Sequence, residues 1–298
     1  MQDLADLFPG FASHWIDAPG ARIFARTMGS GEPLVLLHGF PQTMAMWHRV
    51  APRLAAKFSV VLIDLRGYGW SSAPASANGE GYSKRVMGSD VVAAMEALGH
   101  ARFHVAGHDR GARVGYRLAL DHPGRVAKLA LLDILPTIEV WKNVRAGVAA
   151  SAHWAFLSRP APAPEQDIAA NPPAYFEGLM AKWAKSQSLE AFDPRAMAHY
   201  RAFWGDPARV HAMCEDYRAG ATLDLTADEA DLAAAKTILC PTLTITGDFY
   251  LTRSAGEAPV DVWRRAFAPK ARGSLTPGGH FVAEEAPEET LASLLGFL

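Results

Sequence analysis

The residues with the most chemical content lie in one pentapeptide, Gly107-His108-Asp109-Arg110-Gly111. Two glycines around a three-residue turn form the frame that presents a catalytic nucleophile at a strand-to-helix corner too sharp for Cβ atoms at the flanks. The central residue of such a frame is ordinarily serine, which attacks acyl carbon; here it is Asp109. A carboxylate attacks instead an sp3 carbon bearing a leaving group or an epoxide oxygen, and forms an ester that water must then cleave. An aspartate that merely caps a helix would have the same local sequence, so the partners of Asp109 decide its meaning.

A water-activating base is needed against that ester. The chain has eleven histidines, and taken alone His280, in Pro277-Gly278-Gly279-His280-Phe281 ahead of the last helical pattern, would be an ordinary loop residue. An imidazole with an ordinary pKa near 6.5 is suited to take a proton near neutrality. Arg110 and Arg113 are spaced so that a helix starting at the corner carries both guanidiniums toward the nucleophile's end. The guanidinium fork suits a carboxylate. The pair therefore points to a small substrate with a carboxylate beside its reacting carbon.

These groups need a scaffold, and the chain supplies one. Ala101 to Ala106 is a short apolar run read as a buried parallel strand, and Gly111 to Leu120 reads as helix until His122-Pro123-Gly124 stops it. Further strand-like runs are Pro33–Leu37, Val60–Ile63, Lys128–Leu132 and Thr242–Ile245. Alternation of such runs with helical patterns predicts a mostly parallel sheet with helices on both faces, whose ligand lies at the C-terminal strand ends. From about Leu135 to Leu232 the pattern is helical, rich in tryptophan and proline and without a convincing strand. That stretch is too long for a simple connection. It predicts a helical cap over residues 137–232, between two parts of one core at 1–136 and 233–298.

Composition narrows the function class. Of 298 residues, 50% are hydrophobic and 20% charged, and the net charge is −2, which gives no electrostatic reason to expect nucleic acid or an anionic membrane as partner. The cysteines, Cys214 and Cys240, have no metal-type spacing. The acidic start, Met1 to Asp6, lacks the basic and apolar regions of a secretory leader, so a cytoplasmic protein is expected.

The motifs together resemble the α/β-hydrolase superfamily over nearly the whole length. Leu37-His38-Gly39-Phe40-Pro41 is similar to the family's first loop, and Asp64-Leu65-Arg66-Gly67-Tyr68-Gly69-Trp70-Ser71 to its D-x-R-G-x-G-x-S segment. The resemblance implies an oxyanion hole from the backbone N–H groups of Phe40 and Arg110. It also implies that His280 is the water-activating base, at the family's histidine position, and offers two places for the acid that orients it. Gly247-Asp248-Phe249-Tyr250 has tyrosine in the usual acid slot, so Asp133, directly after Leu131-Leu132, is the expected acid.

A narrower resemblance, to the haloacetate dehalogenases and especially the fluoroacetate dehalogenases, rests on His108-Asp109-Arg110-Gly111-Ala112-Arg113, Leu132-Asp133-Ile134-Leu135-Pro136-Thr137 and His153-Trp154. It implies that Arg110 and Arg113 bind a substrate carboxylate, and that His153, Trp154 and Tyr217 bind the departing halide. It further implies a halogenated carboxylate as substrate, no metal or organic cofactor, and a homodimer. Epoxide hydrolysis by the same aspartate, with Tyr175, Tyr200 and Tyr217 as available acids, is the enzymatic alternative. A non-catalytic binding protein ranks below both, because the supporting residues are all present.

Overall fold

The computed structural model describes residues 4–148, 151–252 and 256–298. The first three residues of the acidic start lie outside them. Eight strands form one sheet: β1 (Ala12–Ala18), β2 (Ala21–Met28), β3 (Glu32–Leu37), β4 (Phe58–Ile63), β5 (Phe103–His108), β6 (Val126–Leu132), β7 (Thr242–Gly247) and β8 (Arg272–Thr276). Their spatial order is β1-β2-β4-β3-β5-β6-β7-β8. The β1–β2 and β2–β4 pairs are antiparallel and all others parallel.

The five strands expected from apolar runs are β3 to β7. Leu34 to Leu37, Val60 to Leu62 and all of β5 and β7 are buried, as strands covered on both faces must be. The other three carry mixed patterns. In β1 only Ile16 is buried, β2 buries Ile23 and Ala25, and β8 buries only Thr276. These are peripheral strands whose weak alternation does not stand out from the surrounding loops.

Register matters more to function than strand count. Leu37 pairs with Gly107, His108 with Leu132, Leu132 with Ile245, and Gly247 with Thr276. The C-terminal ends of β3, β5, β6, β7 and β8 are thus level, and the loops after them meet over one edge of the sheet.

Between β6 and β7 the described residues contain helices and no strand: Thr137–Arg145, Ala152–Leu157, Ala163–Ala169, Pro172–Trp183, Pro194–Trp204, Pro207–Ala221 and Leu223–Ala233. Many of the prolines in this stretch are helix starts, where the missing N–H costs nothing. Asn171, Asp193 and Asp206 each precede such a proline and accept a backbone N–H of the first turn. The cap is fastened to the loop after β3: Trp204 Nε1 donates to the Pro41 carbonyl at 2.8 Å, and Phe40 packs on Phe176, Trp183 and Tyr217. No helix among the described residues is long and apolar enough to cross a membrane.

Candidate active site

Asp109 opens the helix Asp109–Asp121 at the end of β5 with φ +43°, a left-handed conformation that costs a non-glycine residue energy and recurs at strained functional turns. The flanking glycines are required by contact. A Cβ on Gly107 would lie 2.6 Å from the Ala112 nitrogen, and one on Gly111 2.4 Å from the His38 carbonyl oxygen. The Phe40 N–H donates to Asp109 Oδ1 at 3.0 Å, which leaves Oδ2 turned toward His280. Arg110, in the first turn, has a backbone N–H with no acceptor one helical turn back. Burial by itself would raise Asp109, but His280, Arg110 and Arg113 outweigh it and hold its carboxyl below the usual carboxylate range.

His280 Nε2 is 3.8 Å from Asp109 Oδ2, and its Nδ1 is 2.8 Å from Asp133 Oδ2. Asp133 is fixed by the Gly247 N–H on Oδ1 at 3.0 Å. Asp248 is elsewhere, paired with Lys185 Nζ at 2.7 Å on the surface. The imidazole is held from all sides: its backbone N–H donates to the Trp183 carbonyl, its carbonyl accepts from His108 Nε2 at 2.8 Å, and Tyr250 packs 4.8 Å from its ring. Burial pushes His280 down to about 4, so it rests neutral, its Nδ1–H given to Asp133 and its Nε2 lone pair facing the nucleophile.

The two arginines are placed differently from each other. Arg113 Nη1 donates to the Leu135 carbonyl at 3.0 Å and to Thr137 Oγ1 at 3.1 Å, and Arg113 lines the cavity that Asp109 faces. Burial and then Arg110 push Arg113 down, as expected of a cation with too little negative charge around it. The fork of Arg110, expected to hold substrate, instead grips Asp216: Nε donates to Oδ2 at 3.1 Å and Nη2 to Oδ1 at 2.5 Å. Arg110 Nη1 alone is left without a partner. A fork open for two-pronged capture of an anion, as the sequence suggested for Arg110, is therefore corrected: the fork is taken by Asp216.

His153 and Trp154 stand on the helix Ala152–Leu157 and line the same cavity. Tyr217, from the helix Pro207–Ala221, packs edge-on against both, with ring centroids 5.8 and 5.2 Å away. Among the described residues none of these three side chains gives its polar hydrogen to another protein group. Burial holds His153 neutral, at about 3. The cavity, about 30 Å³, is also lined by Ile134, Leu135, Val140, Tyr250 and Leu251. No group of three or more His, Cys, Asp or Glu side chains among the described residues is arranged to hold a metal ion.

The α/β-hydrolase fold family matches residues 32–182. A fluoroacetate dehalogenase of a Burkholderia species is 45% identical over 98% of this chain and 95% of its own length. This chain belongs to the haloacetate dehalogenase family of α/β hydrolases. Within the superfamily, a soluble epoxide hydrolase of a Corynebacterium species is 30% identical over 93% of this chain and 94% of its own. A crystal structure of an α/β hydrolase from Nostoc sp PCC 7120 superposes with a TM-score of 0.92 at 47% identity, covering 97% of this chain and 98% of that one.

In this hydrolase, sequence reasoning missed Asp216, His108 and Trp183, and took Tyr250 only as the residue in the acid slot. Nothing local marks Asp216: Glu215 before it is just as buried, pairing with Arg218 and accepting the Gly79 N–H, so the two acids look alike in sequence. For Tyr250 there was a signal, since an aromatic in place of the acid has to lie against the histidine loop.

Proposed function

We propose that this protein is a haloacetate dehalogenase that hydrolyses fluoroacetate and chloroacetate to glycolate and halide. The observation that carries this reading is that Arg113, which makes no ion pair among the described residues and donates only to neutral oxygens, lines the same small cavity as Asp109. A neutral substrate would leave that cation unpaired. Arg113 and the free edge of Arg110 hold the substrate carboxylate, and Asp109 Oδ2 attacks the carbon that bears halogen. The carbon–halogen bond breaks, and the halide leaves with the bonding pair toward His153, Trp154 and Tyr217, whose hydrogens meet its developing charge. His280, oriented by Asp133, then takes a proton from water, and the resulting hydroxide attacks the Asp109 carboxyl carbon. The N–H groups of Phe40 and Arg110 stabilise the oxyanion on Oδ1. Collapse breaks the bond between the Asp109 carboxyl carbon and Oδ2, His280 returns its proton to the departing alkoxide, the second proton of the water leaves the Asp109 carboxyl for solvent, and glycolate is released. The residues require no metal or organic cofactor for these steps.

Epoxide hydrolysis is the second reading, favoured by the Corynebacterium relative. Its acids differ from those the sequence suggested, and Tyr250 also lines the cavity. The Tyr200 hydroxyl is given to Glu284 at 3.0 Å and Tyr175 packs beside Phe176, so Tyr217 is the one of the three beside the catalytic cluster. The test is direct. Purified protein is given fluoroacetate, chloroacetate or a small epoxide, and free halide, glycolate and diol are measured against an Asp109→Asn control. Halide and glycolate in equal amounts, lost in the variant, support dehalogenation; diol alone moves the assignment to epoxides.

A further inference from the structure

Asp216 belongs to the cap helix Pro207–Ala221 and is fully buried, yet its side-chain partners all come from the core. Tyr68 donates its hydroxyl to Oδ2 at 2.9 Å, Lys84 Nζ donates to Oδ1, and Arg110 grips both oxygens. Arg110 Nη2 also reaches the Asp216 carbonyl at 2.8 Å. Burial opposes the charge on Asp216, and Arg110 and Lys84 restore it, so its carboxyl stays below its ordinary range. A buried ion pair stabilises a fold weakly, because desolvation offsets attraction, and in some proteins its role is to fix geometry instead. What it constrains here is the next residue.

Tyr217 follows Asp216 on a rigid helix, with consecutive Cα atoms about 3.8 Å apart. Its ring packs 5.2 Å from Phe40 and 5.2 Å from Trp154, and the Arg110 guanidinium lies over it at 4.3 Å. Arg110 in turn follows Asp109. Nucleophile and Tyr217 are therefore joined by one peptide bond, one two-pronged ion pair and a second peptide bond. We propose that Asp216 is a positioning residue that sets the Tyr217 hydroxyl against the departing halide and so decides how poor a leaving group the site expels. This rests on the haloacetate reading. Fluoride depends on hydrogen-bond donors far more than chloride does, so loss of position falls mainly on carbon–fluorine cleavage.

The experiment compares turnover of fluoroacetate and chloroacetate by wild type, Asp216→Asn, Tyr217→Phe and the double variant, with thermal melts to confirm folding. Asp216→Asn lowers the fluoride-to-chloride ratio of kcat by about tenfold or more, less than the roughly 10²–10³ in kcat for outright loss of one aimed donor because the Tyr217 hydroxyl is displaced and not removed. Tyr217→Phe lowers it at least as much, and the double variant adds little to Tyr217→Phe. Tyr68→Phe removes one bond from Asp216 and keeps every charge, so it carries the test if Asp216→Asn does not fold; its ratio falls in the same direction by roughly threefold, as for one ordinary hydrogen bond. A folded Asp216→Asn with an unchanged ratio, or a ratio change additive with that of Tyr217→Phe, overturns the proposal and leaves the activity standing. Where Tyr68→Phe alone can be read, an unchanged ratio overturns it equally. Failure of the wild type to release halide from either acid removes the haloacetate reading and this proposal with it.

Discussion

His280 Nε2 and Asp109 Oδ2 are 3.8 Å apart, too far for a direct hydrogen bond and near enough for both to contact one water or one ester oxygen. The separation suits a base that acts on the second step and is not needed to activate the first. His280→Asn is accordingly expected to carry out one alkylation and stop. Chloroacetate should give one chloride per site in a single burst, with Asp109 gaining the mass of a carboxymethyl group on a peptide from that region. Steady chloride release at a wild-type rate, or no adduct at all, would remove His280 from the role of base.

The pH profile follows from the same burial. His280 is pushed down to about 4, and part of what holds it that high is the negative charge of Asp109. Once Asp109 is an ester that charge is gone, so the imidazole is no easier to protonate during deacylation. The base form exists above the pKa and is lost below it. Ester hydrolysis in single-turnover mixing should be flat from pH 8 down to about 5 and decline only toward 4. An acid limb near 6.5, the value of a free imidazole, would contradict the dry site around His280.

Local backbone demands are what the sequence records best. Gly107 and Gly111 are glycines because neighbouring backbone leaves no room for Cβ, and that requirement is written within five residues. Asp133 is suggested by the tyrosine in the usual acid slot and by the resemblance to dehalogenases; in the structure β6 and β7 pair in register and bring Leu132 beside Ile245, so the Asp133 carboxylate reaches the Gly247 N–H. Long-range pairings leave no such trace. Asp216 is 106 residues from Arg110, and which acid would take the fork depends on how the cap helix is rotated, a property of tertiary packing. The same holds for β8, whose residues Arg272 to Thr276 look like a loop until β7 supplies hydrogen bonds.

Glu284 offers a prediction on stability. It follows the histidine loop, is almost wholly buried, and accepts the Tyr200 hydroxyl on Oε1 at 3.0 Å, while Gln42 Nε2 meets Oε2 and Gln42 Oε1 has no partner. Burial pushes its carboxyl up to about 8 from an ordinary 4.5. Between those values the native protein holds a proton that the unfolded chain has lost, so this group makes stability fall as pH rises, on the order of a few kcal/mol in total. Glu284→Gln removes the titration and supplies an N–H that Gln42 Oε1 accepts once its amide is turned over, with the Tyr200 bond retained. The variant should melt close to wild type at pH 5 and several degrees above it at pH 9. A difference in Tm that does not change with pH would mean that Glu284 has the same proton occupancy in the folded and unfolded chain.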